Sequence, residues 1–80
     1  MKPSRAELVD ELRRQLRGMR RTVVPDMPET ALFRDVGFDS LDLVELVARI
    51  ESVYRRSVPR QRWPALTSLG AVADAVLELL

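Results

Sequence analysis

The 80-residue chain contains no cysteine and no histidine, and both absences restrict its chemistry. Without cysteine there is no disulfide framework, no thiolate metal site and no cysteine nucleophile. Without histidine the usual general base and the commonest nitrogen ligand for a metal are missing. Catalysis at neutral pH would have to rest on carboxylates alone or on an imported group, so the composition argues against an enzyme.

Long apolar runs are also absent. No run approaches the roughly 18 residues of a membrane span, and the N-terminus lacks the apolar core of a signal peptide. We therefore expect a cytoplasmic protein that does not enter a membrane. A chain of this length makes one domain at most, residues 1–80, and buries only roughly 60% of its unfolded surface. Its small core leaves little room for a deep, enclosed active site.

The net charge of +1 conceals an uneven distribution along the chain. Residues 1–22 carry seven basic and three acidic side chains, and residues 55–80 carry four basic and two acidic ones. Between them, residues 23–54 carry seven acidic and two basic side chains. This acidic middle indicates either a partner-facing surface or simply a solvated face.

Two signals mark a first helix. Ser4 and Glu7 have the spacing of a capping box, in which each side chain accepts a hydrogen bond from a free backbone N–H at the helix start. Gly18 is a plausible end, although the arginine-rich segment through Arg21 could extend the helix. The apolar stripe between these signals recurs at helical spacing and consists of Leu8, Val9, Leu12, Leu16 and Met19.

Two further helices are predicted from the same kinds of signal. The second begins after Asp39, a natural N-cap with Asp42 three residues later, and Pro59 marks its stop. Its inward stripe consists of Leu43, Leu46, Val47, Ile50, Val53 and Tyr54. The third begins after Thr67 or Ser68, and its inward stripe consists of Leu69, Val72, Ala73, Val76, Leu77 and Leu80.

Residues 22–39 combine the helix breakers Pro25, Pro28 and Gly37 with apolar side chains that favour burial, including Val23 and Val24. We expect this segment to form a packed loop, with a helical turn around residues 30–33. Another single helical turn fits between residues 59 and 64. The predicted fold is therefore all-α: a small antiparallel bundle of three main helices plus one short helix, with a long packed loop between helices 1 and 2.

Ser40 would be the first residue of the second helix. Because Asp39 serves as the cap, the Ser40 hydroxyl would be free to face solvent beside backbone N–H groups that lack partners, a location that favours a phosphate. No histidine or suitably placed lysine can act as its base, which argues against a serine hydrolase. The residues favour a serine that another enzyme modifies, while a simple role at the helix start stays open.

The segment TALFRDVGFDSLDLVELVARIE, residues 30–51, resembles the central signature of acyl carrier proteins. The matching features are the Leu-Phe pair, the Gly-hydrophobic-Asp-Ser-Leu core and the acidic helix that follows, and the resemblance covers most of residues 4–79. It implies that Ser40 is the attachment point for 4′-phosphopantetheine, a flexible arm whose thiol holds an acyl group as a thioester. It also implies that the protein catalyses nothing and shelters the acyl chain among its helices.

In this family the helix after the modified serine is the recognition surface for partner enzymes. The resemblance implies recognition residues at Asp39, Leu41, Asp42, Val44, Glu45, Ala48 and Arg62. Expected partners are a phosphopantetheinyl transferase, an acyltransferase or acyl ligase, and a ketosynthase or other synthase enzymes. We expect a monomer that binds neither nucleic acid nor membrane, and exposed charges that tune encounter more than affinity.

The chain also departs from the family pattern. Carriers of fatty acid synthesis are typically acidic after the second helix, whereas this chain has Arg55, Arg56, Arg60, Arg62 and Trp63 there. This difference favours a discrete carrier of polyketide or related secondary-metabolite biosynthesis over a fatty acid carrier or an aminoacyl or peptidyl carrier. Two other readings stay open. One is a carrier-like interaction module that is never modified, and the other is a nucleic-acid binder using Arg13, Arg14, Arg17, Arg20 and Arg21.

Overall fold

A computed structural model describes residues 2–19 and 26–80 of the chain. Helix α1 spans Arg5–Arg17, α2 spans Ser40–Tyr54 and α3 spans Leu69–Leu79. Two short 3₁₀ helices, Phe33–Val36 and Arg60–Ala65, precede α2 and α3 respectively. No β-strand occurs within the described ranges, so the prediction of an all-α fold with three main helices is confirmed.

Helix α1 begins with the predicted capping box. The Ser4 hydroxyl accepts a hydrogen bond from the Glu7 backbone N–H at 3.1 Å, and the Glu7 carboxylate accepts one from the Ser4 backbone N–H at 2.9 Å. The pKa of Glu7 is lowered, because hydrogen bonds from the Ser4 backbone and then from the Ser4 side chain stabilise its ionised carboxylate. The helix ends at Arg17 with Gly18 as its C-cap, and Arg21 lies outside the described residues.

The core is built from the predicted stripes. All five residues of the first stripe are buried, four of them in α1 and Met19 just beyond it. Buried with them are Leu46, Val47 and Ile50 of α2 and Leu69, Val72, Ala73 and Val76 of α3. Val53 is an exception, because it is 44% exposed. Helical spacing predicts which face a residue occupies but not where the elements covering that face end, and the last turn of α2 leaves Val53 uncovered.

The described part of the segment between α1 and α2 packs on this core. Met27, Phe33 and Phe38 are buried, and the two phenylalanine rings stack with their centroids 4.1 Å apart. The predicted packed loop is therefore confirmed for residues 26–39, while Val23 and Val24 lie outside the described residues.

The first helical turn was predicted around residues 30–33, but the structure places it at Phe33–Val36. The reason is a long-range contact: Leu32 forms an isolated β-bridge with Ser68, and the Phe33 N–H donates to the Thr67 carbonyl at 2.8 Å. This contact keeps Leu32 extended, so the turn starts at Phe33, three residues later than predicted, and ends at Val36 with Gly37 as its cap. The second predicted turn is confirmed at Arg60–Ala65.

Two further helix boundaries complete the comparison. Helix α2 ends at Tyr54 rather than running to Pro59, because Arg55 adopts the left-handed conformation with φ of 55°. Helix α3 begins at its predicted cap, where the Ser68 hydroxyl accepts from the Ala71 N–H at 3.1 Å.

No helix in residues 2–19 and 26–80 is long and apolar enough to cross a membrane.

Candidate functional site

The site is built where the loop turns into α2. Gly37 ends the first 3₁₀ helix with φ of 76°, in the left-handed region that non-glycine residues adopt at a cost. A Cβ at this position would meet nothing within 4 Å, so the backbone conformation, not lack of space, requires glycine here. The turn leads directly to Phe38, which is buried, and then to the exposed Asp39 and Ser40.

A reciprocal cap fixes the start of α2. The Asp39 carboxylate accepts from the Asp42 N–H at 3.0 Å, and the Asp42 carboxylate accepts from the Asp39 N–H at 3.0 Å. Ser40 is the first helical residue and is exposed, and neither of these two cap hydrogen bonds uses its side chain. The predicted positions of Asp39 as N-cap and of Ser40 as first helical residue are confirmed.

A groove of about 350 Å³ begins beside Ser40. Its walls come from the loop, from the first turn of α2 and from the second 3₁₀ helix: Leu32, Phe33, Arg34, Phe38, Asp39, Ser40, Leu43, Trp63, Pro64, Leu66 and Thr67. Most of this lining is apolar, so the groove can hold an apolar group that is tethered at Ser40.

Trp63 lines the groove, a position that the sequence analysis did not predict. Its indole N–H donates to the Val58 carbonyl at 3.1 Å, which fixes the orientation of the ring. The Arg60 guanidinium lies 4.8 Å from the ring centroid, within the range of a cation–π contact. Only the long-range packing of the second 3₁₀ helix brings this ring to the groove. Composition was the one available signal, since this is the only tryptophan in the chain.

Comparison with known proteins agrees with this geometry. Residues 7–76 match the family model described as the phosphopantetheine attachment site. An acyl carrier protein of Streptomyces coelicolor is 37% identical over 74 residues, which cover 90% of this chain and 80% of the relative. The chain belongs to the acyl carrier protein family. An acyl carrier protein of Rubrobacter xylanophilus is 33% identical to this chain over 51 residues, which cover 64% of this chain and 63% of the relative.

Membership fixes the cofactor of this acyl carrier protein. The prosthetic group is 4′-phosphopantetheine, held covalently. Proteins of the family interact with synthase and transferase enzymes. Within the described residues, no group of three or more acidic side chains is arranged to hold a metal ion.

One predicted recognition residue is buried instead of exposed. Asp42 was expected at the exposed edge of α2, but it is only 1% exposed, so this position is wrong for a partner contact. The reason is its place in the cap: the carboxylate must reach back to the Asp39 N–H, which directs it inward. The acidic pattern of the sequence could not separate a capping carboxylate from a surface one.

The other predicted recognition residues are at least partly accessible. Leu41 and Val44 are 65% and 48% exposed, and Ala48 is exposed on the same face of α2. Glu45 forms a salt bridge with Arg49 at 3.0 Å. Arg62 pairs with Glu78 of α3 and lines a separate groove with Ala71 and Asp74, so it does not lie among the side chains around Ser40.

The arginines of the nucleic-acid alternative are engaged within the chain where the structure describes them. Arg13 donates to the Met27 carbonyl at 2.8 Å, Arg14 pairs with Glu11, and Arg17 lies 3.7 Å from Asp26. Arg20 and Arg21 lie outside the described residues. These contacts support the reading of α1 as a solvated structural helix.

Proposed function

We propose that residues 1–80 act as a discrete carrier domain that holds acyl intermediates as thioesters on a phosphopantetheine arm attached to Ser40. The observation that carries this proposal is the exposure of Ser40 at the start of α2, outside the Asp39–Asp42 cap. The backbone N–H groups of the first turn and the positive helix end favour the negative charge of a phosphodiester at this position. Ser40 supplies only the hydroxyl oxygen of the new bond, and a phosphopantetheinyl transferase supplies the catalysis.

The groove beside Ser40 is the proposed shelter for the cargo. If each heavy atom takes roughly the 30 Å³ of a water molecule in the liquid, about twelve atoms fill the groove. Each methylene group that leaves water contributes about 0.8 kcal/mol, so even a short acyl chain is held measurably. The groove therefore suits an apolar acyl group of modest length.

We place this carrier in polyketide or related secondary-metabolite biosynthesis, in the cytoplasm, as a monomer that catalyses nothing itself. Support comes from the exposed arginines Arg55, Arg56 and Arg60, which differ from the acidic pattern expected of a fatty acid carrier. Its proposed partners are an acyltransferase or acyl ligase that loads the thiol, and a ketosynthase or other synthase enzyme that uses the thioester.

The test of attachment is the intact mass of the chain after incubation with coenzyme A and a broad-specificity phosphopantetheinyl transferase. We expect one added phosphopantetheine in the parent and in Ser52→Ala, an exposed serine of the same helix, and none in Ser40→Ala. Because the chain has no cysteine, reaction with a maleimide reports the thiol of the arm alone. No mass gain with several transferases, in a chain shown to be folded, would favour an unmodified interaction module.

A second measurement tests the cargo. Trp63 lines the groove, so its fluorescence should shift when an acyl group on the arm replaces water there. We expect the shift in the butyryl- or hexanoyl-loaded parent relative to the free-thiol form, and a much smaller one in a Leu66→Gln variant whose groove is less apolar. Equal spectra for the loaded and free-thiol parent would show that the cargo stays in solvent.

A further inference from the structure

We propose that Arg5 controls how well the groove beside Ser40 shelters its cargo, by holding together the two segments that form one wall of the groove. This inference rests on the proposed function, because it concerns the shelter of the same cargo. The seam is the contact between residues 29–33 and 67–70. The clamp is the Arg5 side chain together with the carboxylates of Glu29 and Asp74. Arg5 acts through these segments and is therefore a positioning residue.

The seam consists of a few backbone contacts. At its centre lies the isolated bridge that delays the first 3₁₀ helix, and beside this bridge the Phe33 N–H donates to the Thr67 carbonyl at 2.8 Å. At one end of the seam the Gly70 N–H donates to the Glu29 carbonyl at 2.9 Å. An isolated pair of extended segments is marginally stable in water, so the seam can open locally while the core stays folded.

The seam also forms one wall of the groove. Leu32, Phe33 and Thr67 belong to the seam and line the groove, together with Leu66 just before it. Ser40 lines the same groove. Separation of the two sides of the seam therefore widens the groove and exposes an apolar group inside it to water.

The clamp joins the two sides of the seam at one end. The Arg5 guanidinium lies 2.5 Å from a carboxylate oxygen of Glu29, and the Arg5 Nε donates to the Asp74 carboxylate at 2.8 Å. Glu29 is in the loop, and Asp74 is in α3, 69 residues from Arg5 along the chain. One arginine thus connects α1, the loop and α3. The guanidinium suits this position because its planar fork has donors for two carboxylates.

Gly70 leaves the space that the clamp needs. It is buried in the first turn of α3, and a Cβ there would lie 3.1 Å from Arg5 Nη2 and 3.2 Å from the Glu29 carbonyl oxygen. A glycine therefore lets both the guanidinium and the loop backbone come this close to α3. The close fit distinguishes the clamp from a pair of surface charges that restrain nothing beyond their own helix.

The clamp is accessible to salt, whereas the apolar groove is not held by charge. The side chains of Arg5, Glu29 and Asp74 are 42%, 37% and 65% exposed. Ion pairs with this exposure are weak and are screened by dissolved ions. Salt should therefore loosen the seam without weakening apolar contacts in the groove, so a shelter that fails at high salt reports the clamp.

Amide hydrogen exchange of the unmodified chain tests the seam directly. The N–H groups of Phe33 and Gly70 lie in the first turns of their helices, where a helix offers no acceptor, so their protection depends on the seam. In the parent both should exchange faster than the N–H of Leu12, which lies in the middle of α1 and requires a larger opening.

Three variants separate the clamp from general stability. Arg5→Gln should raise the exchange rates of the Phe33 and Gly70 N–H groups about five-fold, and Asp74→Asn should raise them less because the pair with Glu29 remains. The matched control is Arg14→Gln, which removes an exposed pair with Glu11 inside α1. That pair stays intact when the seam opens, so the control should leave the exchange rates at the seam unchanged.

The effect on cargo is measured with the chain that carries a hexanoyl thioester on its arm. Hydroxylamine attacks the thioester carbonyl, so the C–S bond breaks, a C–N bond forms, and the arm regains its free thiol while hexanoyl hydroxamic acid leaves. Intact mass follows the loss of the acyl group. The parent should be cleaved more slowly than hexanoyl-pantetheine in solution, Arg5→Gln about five-fold faster than the parent, and Arg14→Gln at the parent rate.

Salt provides an independent readout of the same assay. Raising NaCl from about 0.1 M to about 1 M shortens the Debye length from about 10 Å to about 3 Å. Cleavage of the parent should accelerate toward the rate of Arg5→Gln, and Arg5→Gln itself should respond little.

The inference is overturned if the exchange rates of Phe33 and Gly70 are the same in Arg5→Gln and the parent, or if Arg14→Gln raises them as much. It is also overturned if hydroxylamine cleaves the loaded parent and loaded Arg5→Gln equally fast, because the cargo is then not sheltered behind the seam. A chain that gains no arm at Ser40 refutes the proposed function instead, and the exchange rates of the unmodified chain still decide whether Arg5 holds the seam.

Discussion

The buried carboxylate of Asp42 provides the sharpest test of how α2 is held. In Asp42→Ala the Asp39 N–H loses the acceptor that lies 3.0 Å away, while Asp39 keeps its own bond to the residue-42 N–H. A hydrogen bond to a charged group contributes about 1.5–3 kcal/mol, and a carboxylate at a helix N-terminus adds about 0.3–1 kcal/mol. Deletion also relieves the desolvation of the buried charge, which works in the opposite direction. We therefore expect a net loss of about 2 kcal/mol.

Urea unfolding followed by circular dichroism measures this loss. A domain of this size has a total stability of about 4–12 kcal/mol, and about 2 kcal/mol corresponds to a decrease in Tm of about 8–16 °C. Asp42→Asn keeps an acceptor oxygen without the charge, so it should lose about half as much. The matched control is Glu45→Ala, which removes only a partly exposed i,i+4 pair with Arg49 and should cost about 0.3–0.5 kcal/mol.

The same variants separate a structural role from a partner contact. At a temperature at which Asp42→Ala is still folded, a transferase should load it at nearly the parent rate, because the Asp42 carboxylate of the parent does not reach the surface. The reasoning is refuted if Asp42→Ala is as stable as Glu45→Ala, or if loading falls sharply while the free energy of unfolding is unchanged.

Three further predictions concern caps and glycines. In Ser4→Ala the pKa of Glu7 should rise part of the way toward its ordinary 4.5 in a carboxyl NMR titration, because the variant loses the side-chain hydrogen bond and keeps the larger backbone one. Since the folded-state pKa is lowered in the parent, its stability advantage should be complete above pH 4.5 and fade as pH falls through the folded-state value. Gly37→Ala should lose about 1–2 kcal/mol in urea unfolding because of its φ of 76°, and Gly37→Asn less. Gly70→Ala should lose about 1–3 kcal/mol, since its Cβ would lie 3.2 Å from the Glu29 carbonyl oxygen, and unchanged stability would contradict this.

Local signals predicted the caps and most of the core from the sequence. Ser4 with Glu7, Asp39 with Asp42, and Ser68 all satisfy N–H groups a few residues away, so their partners are fixed by spacing alone. The buried stripes follow in the same way, because the period of a helix sets which residues share a face. Ser40 could be found by this reasoning, since its exposure follows from the cap beside it.

Other features depend on contacts between distant segments and could not be predicted. The start of the first 3₁₀ helix depends on the Leu32–Ser68 bridge, which joins residues that the sequence separates widely. Trp63 reaches the groove because the second 3₁₀ helix folds back toward the start of α2. The exposure of Val53 likewise reflects where its neighbours end, which no periodicity encodes.

Helix α2 shows why charge counted along a sequence differs from charge that is available at a surface. Capping and pairing engage Asp42, Glu45 and Glu51, whereas Arg55 and Arg60 remain without carboxylates among the described residues. An interface made by exposed side chains such as Leu41, Val44 and Arg55 is weak, because exposed charge pairs contribute only about 0.2–1 kcal/mol each. Interfaces of this kind form fast and release fast, since steering raises the rate of association without slowing dissociation equally. Fast association with fast release suits a carrier, because it must leave each enzyme before it meets the next one.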